Sequence, residues 1–216
     1  MEFINYINKD FERQFEVDVK QDYAEVRNIL PTLPENIQIY FMAGGLVHGM
    51  NTGGFAYSPD IISLSLDSSA TDNEGLRHDL RSTMFHEAFH LTHGYTGQTG
   101  PFTLLESAIQ EGSATLFEIK YADSKSKDLF GNYSQHSSSQ LNEWLELIKR
   151  VKNTNEMSRN EYESIAYYDA ADDTRWKLYK TGTWLVDEYI KKANIDIKDF
   201  TNEDIESIIN SLSVTI

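Results

Sequence analysis

Glu74-Gly-Leu-Arg-His-Asp-Leu-Arg-Ser-Thr-Met-Phe-His86-Glu87-Ala-Phe-His90-Leu-Thr-His93-Gly94 is the stretch on which the reading of this chain turns. Leu76, Leu80, Met84, Phe85 and Phe89 recur at helical spacing, and Gly94 is a favourable residue for ending a helix, so one helix is expected over 74–93. His86 and His90 lie four apart, one turn from each other on a single face. Two imidazole nitrogens in that arrangement can meet one zinc ion at about 2.0–2.1 Å each. Glu87 projects about 100° round the helix from His86. It cannot join them as a ligand, but it can reach a water at the metal, which is the geometry of a general base. The residue types and their spacing point to zinc-dependent hydrolysis.

Upstream of this helix the period is two. Alternation at Ile37, Ile39 and Phe41 predicts a strand over 37–42. A glycine-rich turn is expected over 44–54, then strands over 54–57 and 61–66 with a tight turn at Pro59-Asp60. Tyr23, Val26 and Leu30 predict a short helix over 20–30, ended by Pro31 and Pro34. Downstream, helices are expected over 104–121, 140–151, from 159 onward, 174–192 and 202–212. The third of these follows Ser158-Arg-Asn-Glu161, a capping-box pattern. The first third therefore mixes helix and strand, and the rest is helical. That pattern predicts an α+β fold in one domain, 1–216, with an α/β lobe at 1–94 carrying the motif helix and a helical lobe at 95–216.

Composition narrows the classes. The chain has 216 residues, 40% hydrophobic and 12% aromatic, enough for a real core. Its formal net charge is −15 and its pI about 4.7. Nucleic acid is a poor partner for such a surface, because phosphates require a basic face. An acidic surface serves solubility first, and a preference for basic substrates second. There is no cysteine, which excludes disulfides and cysteine-ligated zinc. No apolar run is long enough to span a membrane. The N-terminus lacks the apolar core of a signal peptide, so a native start at Met1 implies a cytoplasmic protein and a trimmed signal a secreted one. Nothing in the sequence fixes an oligomeric state.

A catalytic zinc takes three protein ligands and keeps a position for water. His93 is the nearest candidate for the third. It lies seven residues beyond His86, about 10.5 Å along the axis, so the three imidazoles cannot converge on one ion. His93 reads instead as a helix-end residue favoured by the dipole. The metzincin pattern is absent, since its glycine and third histidine would fall at His93 and Thr96. The next acids stand on the 104–121 helix. Glu106 completes a Thr103-x-x-Glu106 capping box. Glu111 has no such local role and lies mid-helix beside Gly112, where glycine signals the close approach of another backbone. A helix packed antiparallel to the motif helix could aim Glu111 at the metal.

His-Glu-x-x-His followed about twenty residues later by Glu-Gly-x-Ala resembles the gluzincin clan of zinc peptidases. It is especially similar to the aminopeptidase N family, whose third ligand is the Glu of an Asn-Glu-Gly-Phe-Ala stretch. Gln110-Glu111-Gly112-Ser113-Ala114 matches that stretch here. The resemblance implies a thermolysin-like zincin fold, a peptide or protein substrate, and Glu111 as third ligand. The thermolysin subgroup fits less well, because its aspartate four residues on is Thr115 here.

Attack on an amide creates an oxyanion, for which a second donor beside zinc is usual. Tyr179-Lys-Thr-Gly182 is similar to the Tyr-x-x-Gly stretch that carries the oxyanion-binding tyrosine of the aminopeptidase N family, and implies that role for Tyr179. Tyr168, Tyr167 and His136 are its rivals. The same family holds its substrate's free amine with the Glu of Gly-Ala-Met-Glu-Asn. The comparable Gly54-Phe-Ala-Tyr57-Ser has no acid, which argues for cleavage inside peptides rather than at their ends. An exposed strand edge there could take an extended peptide by β-augmentation, or could be covered. His48 and His78 read as surface residues.

Overall fold

The structure is a computed structural model and describes residues 9–43, 46, 50–67, 73–100, 102–151 and 154–213. It is a mixed α+β protein of two compact units: Met1–Gly100 with Lys120–Ser124, and Pro101–Ile119 with Lys125–Ile216.

The first unit holds helix α1 (Lys9–Ile29), strands β1 (Gln38–Ala43), β2 (Thr52–Ser58) and β3 (Ile61–Leu66), and helix α2 (Asn73–His93). The sheet order is β1-β3-β2, with β1 parallel and β2 antiparallel to β3. Strand β2 is therefore an edge. The inward residues Ala56, Ile62, Leu64 and Leu66 are buried with Leu76, Leu80, Met84, Phe85 and Phe89 of α2. Phe15, Val19, Tyr23 and Val26 of α1 recur at three- and four-residue steps and are also buried. Polar contacts fix α1 on α2. Arg81 clamps Glu25 through two hydrogen bonds of 2.7 and 2.9 Å and also reaches Asp22, while Arg77 pairs with Asp18 at 3.1 Å.

The expected helix over 20–30 is thus the last half of α1, whose earlier turns carry the same spacing at Phe15 and Val19. The glycine-rich segment expected as a turn over 44–54 is strand from Thr52 onward, because Gly53 and Gly54 pair with Ser65 and Leu64 of β3. Part of that segment, including His48, lies outside the described residues.

The second unit is built from α3 (Leu104–Tyr121, its end in the first unit), α4 (Ser126–Leu129), α5 (Ser138–Arg150), α6 (Arg159–Ala166), α7 (Lys177–Ala193) and α8 (Ile205–Ser213). Leu104, Ala108, Ile148, Ile165, Ala166 and Leu178 form its core. The capping box at Ser158 and Glu161 is present. The helix expected over 174–192 starts later, at Lys177. Before it lies a hairpin of β4 (Tyr168–Asp169) and β5 (Thr174–Arg175). Asp173 and Trp176 take the left-handed conformation there, which interrupts any helix. Lys177, almost wholly buried, ties the hairpin to α7 through Asp169 at 2.6 Å and Asp172 at 2.7 Å.

Candidate metal centre

Helix α2 lies on the inner side of the edge strand in a regular register. Asp79, Thr83 and Glu87 recur every four residues and form one polar stripe. Asn51 donates to Asp79 at 3.2 Å, and the hydroxyls of Thr52 and Thr83 are 2.9 Å apart. The Ala56 N–H donates to Glu87 Oε2 at 2.8 Å. From Met84 to Leu91 every residue of α2 is buried, Glu87 included. A carboxylate at that depth requires a donor, and the edge strand supplies one. Gly54 makes the approach possible: a Cβ there would stand 2.4 Å from Glu87 Cγ and 2.7 Å from Thr83 Cγ2.

The helix ends at Gly94, in the left-handed conformation at φ +63°. The Tyr95 N–H donates back to the His90 carbonyl at 3.0 Å, closing the terminus one turn beyond the second histidine. The following loop returns to the strand, where the Gly97 N–H donates to the Ala56 carbonyl at 2.9 Å. Both outward backbone groups of Ala56 are thus engaged, so at this residue the edge is covered rather than open to an added strand.

Among the described residues, one group of three can hold a metal ion: His86, His90 and Glu111. Each offers one ligand atom, and these atoms lie within 4.8 Å of one another. The two buried imidazoles meet edge to face, with centroids 4.7 Å apart. Two ligands at about 2.1 Å from one tetrahedral zinc would stand about 3.4 Å apart, a spacing of the same order as the one these atoms have. Two imidazoles and a carboxylate also make a donor set suited to zinc. His93 ends α2 with its ring 5.2 Å from that of Phe89 and is outside the group. Glu106 is in its capping box, accepting from the Thr103 N–H at 2.6 Å, while its own N–H donates to the Thr103 hydroxyl at 3.1 Å.

Gly112, next to Glu111, does mark a close approach, and the neighbouring backbone belongs to α7. A Cβ on Gly112 would stand 2.1 Å from the carbonyl carbon of Gly182, and one on Gly182 would stand 1.7 Å from the Ala108 carbonyl oxygen. The glycines of Glu-Gly and of Tyr-x-x-Gly are thus two sides of one helix crossing. Tyr179 sits one turn before Gly182, half-buried, stacked on Phe130 at 5.0 Å and edge-on to Trp176 at 5.6 Å. Tyr167 packs against Trp176 at 5.6 Å. Tyr168 is exposed, and its hydroxyl donates to Asp173 at 3.0 Å. His136 is engaged at both nitrogens, with Gln140 at 3.1 Å and Lys180 at 3.2 Å.

A mixed α+β chain with a helical His-Glu-x-x-His and a carboxylate gathered to its two histidines falls in the class of zinc-site proteins. The model of the family described as "Predicted Zn-dependent protease (DUF2268)" matches residues 5–210, and the chain belongs to that family. Zinc is accordingly its cofactor and a peptide or protein its substrate class. No curated protein and no solved structure matches the chain. No helix among the described residues is long and apolar enough to cross a membrane.

The strand at Gly54–Tyr57 was legible as an edge for an extended peptide, but not as the support of Glu87 through Gly54 and Ala56. The available signal was a glycine pair inside an otherwise β-prone run, which marks a place where something packs against the backbone.

Proposed function

We propose that this chain is a zinc metallopeptidase of the gluzincin type, a single catalytic domain over 1–216 with a thermolysin-like zincin fold, cleaving peptide bonds internally. His86, His90 and Glu111 are its metal ligands, Glu87 its general base and Tyr179 its oxyanion donor. The observation that carries the reading is the gathering of His86, His90 and Glu111 into one group, from two helices far apart in sequence. Zinc, when bound, supplies Lewis acidity, lowering the pKa of a water to about 7 and stabilising negative charge on the carbonyl oxygen. Glu87 takes the proton of the attacking water and delivers it to the leaving amine. The Ala56 N–H holds Glu87 Oε2 and so fixes the orientation of the carboxylate between the two histidines. Tyr179 donates its phenolic hydrogen to the oxyanion, with its ring fixed by Phe130 and Trp176.

Elemental analysis tests the ligand set. Wild-type protein should carry one zinc per chain. Glu111→Ala should lose it, and Glu106→Ala should keep it while losing about 1 kcal/mol of helix-cap stability. Zinc loss with Glu106→Ala but not with Glu111→Ala overturns the assignment.

A further inference from the structure

We infer that Lys180 is a receptor for a carboxylate of the substrate, supplied by an acidic side chain or by a peptide C-terminus, and that it selects substrates at the site of Tyr179. The inference rests on the peptidase reading above and adds a substrate class to it.

The chain has 34 acidic and 19 basic residues, and two cations shielded from water, Lys177 and Arg81, are each held by two carboxylates. Lys177 is held by Asp169 and Asp172, and Arg81 by Asp22 and Glu25. Lys180 is the contrast. It is half-buried on α7, and among the described residues no carboxylate pairs with it. Its ammonium meets Nε2 of His136 at 3.2 Å. That imidazole is itself fixed, with Nδ1 3.1 Å from Gln140 Oε1 and its ring edge-on to Trp144 at 4.7 Å. The arrangement suits a neutral imidazole with its hydrogen on Nδ1, donating to Gln140 and accepting from the lysine at Nε2. One of three ammonium hydrogens is then used, and two remain for an incoming acceptor.

Burial pushes the amine's pKa down, and no neighbouring charge counters the effect. A lysine serving only solubility would extend its ammonium into water. This one has given up part of its hydration without gaining a counter-ion, and its flexible stem is held in place by His136. A fixed, partly desolvated, uncompensated cation is preorganised for an anion. Lys180 follows Tyr179 directly and precedes by two residues the Gly182 that crosses α3 at Gly112, beside Glu111. The overall charge of −15 repels anions at a distance, so any preference for a carboxylate has to be local.

The test uses zinc-loaded protein in a Glu87→Gln background, so that peptides bind without turnover. The probes are N-acetyl-Ala-Ala-Phe-Ala-Ala with a free or an amidated C-terminus, and the amidated peptide with Glu or Gln as its last residue. Calorimetry should give roughly tenfold tighter binding for at least one carboxylate-bearing peptide than for its neutral partner, in keeping with a charge-assisted hydrogen bond. Which pair shows the difference identifies the source of the carboxylate. Lys180→Met should erase the difference, and Lys180→Arg should keep part of it. In 13C-lysine-labelled protein, the preferred peptide should move the Lys180 titration upward. Equal binding of charged and neutral peptides, or a difference that survives Lys180→Met, overturns the inference. If the protein cleaves no peptide while the Lys180-dependent difference stands, the receptor is supported and the peptidase reading falls.

Discussion

Glu87 is buried between two histidines, and its carboxylate takes a backbone N–H from the neighbouring strand. Its amide analogue separates the hydrogen bond it makes from the general-base role proposed for it. A glutamine can still accept from Ala56 through its carbonyl, so the fold and the metal should persist, but it cannot take a proton. Glu87→Gln should therefore keep wild-type zinc content and melting behaviour while losing about 10²–10⁴ in rate, the usual worth of a general base. Tyr179→Phe, read beside it, should keep the stacking on Phe130 and lose about 10²–10³ in kcat with little change in KM, since the lost bond belongs to the transition state. Activity within a few-fold of wild type in the first variant removes Glu87 from the mechanism. Silence in the second, with Tyr168→Phe crippled, transfers the donor role to the hairpin.

At the scale of elements, the crossing of α3 and α7 constrains the second unit most tightly. With a backbone carbonyl 1.7 Å from where its Cβ would lie, Gly182→Ala forces the two helices apart. Overpacking of this kind costs about 1–3 kcal/mol, a drop of roughly 2–12 °C in melting temperature for a chain of this length. Glu111 adjoins the crossing, so zinc affinity should fall as well. An unchanged melting curve would mean that the helices do not meet there. This crossing also shows where the sequence was readable and where it was not. Gly112 announced a close approach, because a mid-helix glycine has a cost that something must justify. Its partner was hidden, because contact between helices separated by α4, α5, α6 and the β4–β5 hairpin leaves no local trace. Helix α2 was readable from the helical spacing of Leu76, Leu80, Met84, Phe85 and Phe89 and from Gly94, and α6 from its capping box, since these signals are local. The hairpin had no such signal, and its second strand, Thr174–Arg175, falls inside the helix expected over 174–192: the left-handed Asp173 and Trp176 are residues that ordinarily tolerate helical geometry, and the buried Lys177 that stabilises the turn looks like any surface lysine in sequence. The hydrogen bond from Ala56 to Glu87 could not be read at all, since a backbone donor carries no side-chain signature.

For the whole molecule, the question is where along a peptide it cuts. An enzyme that removes N-terminal residues must hold a free ammonium, and a point charge is held by a nearby acid. Strand β2, the element against Glu87, reads Thr-Gly-Gly-Phe-Ala-Tyr-Ser and has no acid. Phe55 and Tyr57 are instead about half exposed, at 51% and 48%, on its outer face. The net charge of −15 does not substitute for a placed carboxylate. At physiological salt its field decays over about 8 Å, which can enrich cations near the surface but cannot fix a terminus against one residue. A matched pair of peptides, one with a free and one with an acetylated N-terminus, should therefore be cut at the same internal bond with kcat/KM values within a few-fold. Mass spectrometry of early products gives the cut position directly. If only the free form is consumed, one residue at a time from its N-terminus, then the ammonium is held by an acid outside β2, and the protein is an aminopeptidase.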